Sequence, residues 1–146
     1  MPVLTFSKSQ LGPILEVSVW PGAEALNQLK LAGQPVPQPS QLKMLVDSGS
    51  EGSVVDESLI RPWNTPYVSL AWAATITGRK PIQRYEVALS IRGQAGQTAW
   101  EIPSLLVCSR QSPFTGMPYQ GLIGRDILDR AVFVFNGPAH HCTLAY

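Results

Sequence analysis

Hydrophobic and polar residues alternate along much of this chain, and a repeat of two argues for strands. Between Ile14 and Trp20, Leu15, Val17 and Val19 share one face while Glu16 and Ser18 take the other. Tyr85 to Ile91 repeats the pattern, with Tyr85, Val87, Leu89 and Ile91 set against Glu86, Ala88 and Ser90. Shorter apolar runs at Met44–Val46, Ser53–Val55, Leu105–Cys108 and Val132–Phe135 have the length expected of buried strands. Thirteen prolines and twelve glycines punctuate these segments, as turns between many short strands require. The pattern predicts an all-β, mainly antiparallel fold.

Helical signals are confined to two places. Asp126 to Ala131 comes just after Gly124 and opens on a residue suited to N-capping. Asp126 and Arg130 stand four apart, the spacing of a favourable pair on one helix face. Ala23 to Leu31, with Leu26, Leu29 and Lys30, predicts a turn or two of helix. Gly33 to Gln41 carries alternate prolines, which hold φ near −65° and favour a stiff, extended surface connector. No internal repeat is visible, and residues 1–146 read as one domain with this Pro-rich loop inside it.

Composition sharpens the picture in one respect. Only 14% of residues are charged, against about a quarter in ordinary globular chains, while 45% are hydrophobic. Such a chain must hide much of its surface in a β-rich core or in a subunit interface. Eleven basic and ten acidic residues give a net charge of +1, and no run of Lys or Arg marks a nucleic-acid or anionic-membrane surface. The first ten residues lack the basic-then-apolar order of a signal peptide, and no apolar run approaches the ~20 residues that span a bilayer. A cytoplasmic location is the expectation. Cys108 and Cys142 suffice for one disulfide, but their spacing gives no argument for it.

The most informative stretch is Lys43-Met-Leu-Val-Asp47-Ser48-Gly49-Ser50. An apolar strand here delivers a carboxylate, which is costly to bury unless it is hydrogen-bonded or used. Gly49 and the flanking hydroxyls of Ser48 and Ser50 suit a tight turn after it. Asp-Ser/Thr-Gly alone would occur by chance in about 6% of chains this long, so by itself it reads as a strand-end turn. A second stretch, Gly121-Leu122-Ile123-Gly124-Arg125-Asp126, adds an apolar strand, a glycine and an abrupt helix start.

Together the two stretches, with the strands between them, resemble the retropepsins, the single-domain aspartic proteases. The resemblance covers roughly residues 43 to 135 and implies a closed β-barrel or sandwich with one short C-terminal helix. It also implies an endopeptidase that hydrolyses peptide bonds with two carboxyls, and that needs no cofactor and no metal. One carboxyl, ionised, draws a proton from water, and the other, protonated, donates to the scissile carbonyl. Such a pair shares a proton and titrates as a unit, so activity is expected to peak at mildly acidic pH. Of the four aspartates, only Asp47 is followed by Ser/Thr-Gly, so the second carboxyl must come from a second copy. The expected partners are therefore a second copy of the chain and a peptide or protein substrate.

Other roles follow by position from the same resemblance. Ser48 corresponds to a hydroxyl that grips the partner loop, and Gly49 offers a carbonyl to substrate. Glu51 stands where retroviral members carry a shorter Asp that pairs with the Arg of the second motif, here Arg125. Tyr67 to Ile91 corresponds to a flap hairpin with its tip at Thr75–Lys80, Gly78 as turn residue, and Ile76 and Thr77 over the substrate. Leu122 and Ile123 fall near the cleft floor or in the core below it, and Trp72 falls beneath the flap, along a subsite or in the core. Cys142 to Tyr146 corresponds to an interface strand. A catalytically silent, dimeric peptide-binding or scaffolding domain of the same fold is the alternative.

Three other chemistries have little to stand on. There is no Gly-x-Ser-x-Gly elbow, and His140 and His141 are the only histidines. Those two and Cys142 are consecutive, which ill suits the surround of one metal ion and reads as a solvated turn. No glycine-rich loop with a following Lys is present to cradle phosphate.

Overall fold

A computed structural model describes residues 1–111 and 113–146, apart from the side chain of Thr75, which belongs to the expected hairpin tip. Ten strands in chain order are β1 (Val3–Ser9), β2 (Gly12–Pro21), β3 (Ser40–Val46), β4 (Val54–Asp56), β5 (Ser69–Thr75), β6 (Gly78–Arg92), β7 (Trp100–Arg110), β8 (Gly121–Ile123), β9 (Val132–Asn136) and β10 (His141–Ala145). The described residues also form three short α-helices, α1 (Ala23–Leu31), α2 (Glu57–Ile60) and α3 (Arg125–Leu128), and a 3-10 turn at Arg61–Trp63. The strands follow the order β5-β6-β7-β4-β8-β3-β2-β1-β10-β9, and an additional β6–β2 pairing closes β2, β3, β8, β4, β7 and β6 into a barrel. The predicted all-β architecture is what the chain adopts. Most pairings are antiparallel; β3–β8 and β4–β7 are parallel.

The alternation read from β2 and β6 sets the barrel interior. Leu15, Val17 and Val19 pack inward against Val87, Leu89 and Ile91, all of them buried. A fully buried side chain of this size contributes about 2 kcal/mol. The opposite face of both strands is partly covered as well, although Glu16 on it is exposed. There α1 packs over β2 and β6 through Ala25 and Leu29, so Ser18, Ala88 and Ser90 are buried as well. Their hydroxyls are satisfied locally: Ser18 Oγ donates to Gln41 at 2.7 Å and Ser90 Oγ donates to Glu101 at 2.7 Å. Residues 34–39 of the Pro-rich segment have no regular structure, and β3 begins at Ser40.

Outside the barrel, β1, β10 and β9 form an antiparallel extension. β10 pairs with β1 on one side and β9 on the other. The expectation that Cys142–Tyr146 serves as an interface strand is therefore corrected. Both edges of that strand are already hydrogen-bonded within the chain, and β9 is the strand left at the edge.

The C-terminal helix also differs from expectation. α3 stops at Leu128, and its N-cap is Gly124 rather than Asp126. Among the described residues the one ion pair is Arg61–Glu57, so the predicted Asp126–Arg130 pairing does not form. The Asp126 carboxylate is engaged elsewhere, as the site geometry explains. Among the described residues no helix is long and apolar enough to cross a membrane.

Candidate active site

Two segments far apart in sequence meet because β3 and β8 run parallel and end together. Met44, Leu45 and Val46 pair with Gly121, Leu122 and Ile123, which brings Asp47 beside Gly124. β8 also pairs with β4, so it lies between the two strands that the 47–53 loop connects. That loop has to arch over the end of β8. It is fastened there by backbone bonds: Asp47 N to Ile123 O (2.9 Å), Arg125 N to Ser50 O (2.9 Å) and Asp126 N to Glu51 O (3.3 Å).

The arch leaves no space above Gly124. A Cβ at that position would lie 2.5 Å from Gly52 C and 2.6 Å from Gly52 O, which are backbone atoms and cannot step aside. Gly124→Ala is expected to destabilise the fold by about 3 kcal/mol, read as a lower urea midpoint with an unchanged slope. An unchanged midpoint would show that the loop does not straddle β8 this closely.

Asp126 locks the same crossing from the other side. Its Oδ2 accepts from Ser53 N (2.9 Å), and its Oδ1 accepts from Ser53 Oγ (2.7 Å) and Ile127 N (2.9 Å). Ser53 Oγ in turn accepts from Gly124 N at 3.0 Å. Ser53 is fully buried, and this network satisfies it completely. Neither its role nor that of Asp126 was singled out from sequence. The signal was weak: one polar residue opening an otherwise apolar Ser-Val-Val run.

Asp47 sits at the turn that follows β3, half-buried. Its Oδ1 accepts from Gly49 N at 2.9 Å, and its carbonyl accepts from Ser50 N at 3.1 Å. The carboxylate is thus held on its own turn, in a fixed direction. Ser48 is exposed, and among the described residues its hydroxyl makes no hydrogen bond. Arg125 reaches back through Nη1 to Ser48 O at 3.2 Å. The expected Glu51–Arg125 ion pair is absent from the described residues, because Arg125 is directed to that carbonyl and Glu51 stands exposed on the arch.

β5 and β6 form a hairpin in which Thr75 pairs with Gly78 across a two-residue turn, Ile76–Thr77. Gly78 has φ +109°, a conformation that side chains adopt only with strain, so glycine suits the position. Ile76 at the tip is fully exposed. Between the hairpin and the 47–53 arch lies a cleft of about 650 Å³. Gly49, Ser50 and Glu51 line it, with Asp126, Leu122 and Trp72; Asp47, Ser48 and the tip residues Ile76, Thr77 and Gly78 do not. Trp72, left open by sequence, is thus a cleft residue.

Cys108 also lines this cleft. Burial pushes its thiol up from the usual range, only partly offset by the Arg84 guanidinium. It is therefore protonated near neutral pH and a poor nucleophile. Both cysteines are free thiols.

No known family's sequence profile matches the chain, and no curated protein matches it by sequence. By structure the chain is similar to a crystal structure of a retropepsin-like aspartic protease from Rickettsia conorii, with a TM-score of 0.53 and 13% identity. The match covers 99% of this chain and 90% of that one. At such low identity the likeness speaks for architecture alone: this chain has an all-β, retropepsin-like fold.

Proposed function

We propose that the chain is an aspartic endopeptidase of the retropepsin type, with a catalytic dyad formed by Asp47 from each of two copies. The observation that carries this reading is the Asp47 turn itself. One carboxylate stands on the Gly49 N–H at the point where two parallel strands end, beside a cleft roofed by a hairpin. The sequence holds only one Asp-Ser/Thr-Gly.

In the dimer, the ionised carboxyl takes a proton from a water held between the pair. The water oxygen bonds to the scissile carbonyl carbon, and the protonated carboxyl gives its proton to the carbonyl oxygen. The tetrahedral diol then collapses. Its C–N bond breaks as the nitrogen takes a proton from one Asp47, and a diol hydroxyl returns a proton to the other. The dyad regains its starting state. In this reading the exposed Ser48 hydroxyl, which makes no hydrogen bond among the described residues, bonds the opposing loop. Ile76, Thr77 and Gly78 close over a bound peptide in this reading.

The edge strand β9 supports the two-fold arrangement. Val132 is 56% exposed and Val134 50%, and the strand carries no charge and no proline. An unprotected edge of this kind invites antiparallel pairing with a second copy. Pairing β9 to β9 would join the β1-β10-β9 extensions of two chains into one sheet.

The test is a diverse peptide library incubated with the protein at about pH 4 to 7. Cleavage by the wild type that disappears in Asp47→Asn supports the reading. Peptides bound but never cut would favour a peptide-binding or scaffolding domain instead.

A further inference from the structure

Arg84 is the unusual group in the cleft. It lies on β6, half-buried, and β7 places Cys108 directly opposite it and Arg110 two residues further along. All three line the cleft, whose remaining wall here is apolar: Trp72, Ile82 and Leu106. A partly desolvated guanidinium is costly unless a carboxylate or several acceptors meet it. Among the described residues, Arg84 makes one side-chain hydrogen bond, from Nε to Ser69 Oγ at 3.0 Å, and no ion pair.

Among the described residues no carboxylate forms an ion pair with Arg84, and two of those nearby are engaged elsewhere. Asp126 gives its oxygens to Ser53 and Ile127. Asp56, in register with Arg110, caps α2 by accepting from Ser58 N at 3.0 Å. Glu51 stands exposed on the arch. With Nε fixed by Ser69, the other edge of the Arg84 fork is left for something that enters the cleft.

We infer that Arg84, supported by Arg110, receives a carboxylate from the bound peptide, and that this makes the cleft selective for an acidic residue at one substrate position. A planar fork held along one edge matches two carboxylate oxygens with its other edge, which favours Asp or Glu over their amides. This rests on the cleft being a peptide site, as the protease reading holds. The carboxylate belongs either to an acidic side chain or to the peptide's C-terminus, and blocking the terminus separates the two.

The experiment measures binding of apolar, N-acetylated peptides to full-length Asp47→Asn protein, so that cleavage does not intervene. A single Glu is walked through the sequence, with Gln at the same position as control and the C-terminus either free or amidated. At one position the amidated Glu peptide is expected to bind about tenfold tighter than its Gln twin. Arg84→Gln should erase that ratio, Arg84→Lys should retain part of it, and Arg84→Glu should shift preference to Lys peptides. Circular dichroism on each variant confirms that the fold survives. A preference seen only with free C-termini assigns the site to the terminal carboxylate and overturns the side-chain assignment. Equal binding of Glu and Gln peptides throughout, with cleavage by the wild type intact, overturns the inference alone. No binding and no cleavage would sink both it and the protease reading.

Discussion

Asp47→Asn is expected to lower kcat/KM for a cleaved peptide by at least about three orders of magnitude while leaving the denaturation midpoint nearly unchanged. The two halves of this expectation have separate physical origins. Asparagine cannot share a proton with an opposing group or take one from water, so both roles of the proposed dyad would vanish in both chains at once. Its amide oxygen still accepts from Gly49 N, the bond that Asp47 Oδ1 now receives at 2.9 Å. The turn after β3 is therefore kept, as are the backbone bonds that fasten the arch to β8. Kinetics paired with urea denaturation check both halves. Residual activity within tenfold of the wild type would remove Asp47 from the chemistry, and a large fall in stability would make it a structural residue.

The second large effect concerns a residue pair well away from the cleft. If the proposed β9–β9 dimer forms, changing Val132 and Val134 together to lysine is expected to leave the protein monomeric at micromolar concentration and to abolish cleavage with it. In a single chain both side chains are about half exposed, at 56% and 50%, so two lysines there cost the fold little. Across a two-fold axis at the β9 edge the same change brings ammonium groups toward one another and strips them of water. Phe133, partly buried against the core, is left untouched. Sedimentation equilibrium checks the assembly and a cleavage assay checks its consequence. A double variant that stays dimeric would move the interface away from β9. One that turns monomeric yet keeps full activity would contradict the shared site.

How much of this was readable in advance depends on the range of the interaction. The alternations in β2 and β6, the apolar run of β3 and the helix from Ala23 to Leu31 are local patterns, and they form as the sequence indicates. β1 gives little local signal: Leu4 and Phe6 face inward while Thr5 and Ser7 do not, but so short an alternation barely stands out. Periodicity puts Ser18 on the face opposite Leu15, Val17 and Val19 but cannot say what covers that face; α1 covers it here.

The site was half legible for the same reason. Asp47, Gly49 and Ser50 belong to one turn, and the turn chemistry is written in adjacent residues. The local offsets of Asp126 predict a cap and a partner for Arg130. Its actual partner, Ser53, lies 73 residues earlier, and only the insertion of β8 between β3 and β4 brings them together. Likewise the start of α3 at Arg125 is fastened to the arch beside Glu51, yet the guanidinium turns to Ser48 O. Which of several nearby acceptors an Arg chooses depends on side-chain geometry that spacing does not encode.

The central claim is that one active site belongs to two chains, and mixing tests it most directly. Wild type and Asp47→Asn protein are co-refolded in varying ratio at fixed total concentration, and cleavage is measured against the wild-type fraction. If each site needs Asp47 from both copies, activity follows the square of that fraction and an equal mixture retains about one quarter. Activity that falls linearly, with about one half left in the equal mixture, would mean that each chain works alone, and the two-chain dyad would be wrong.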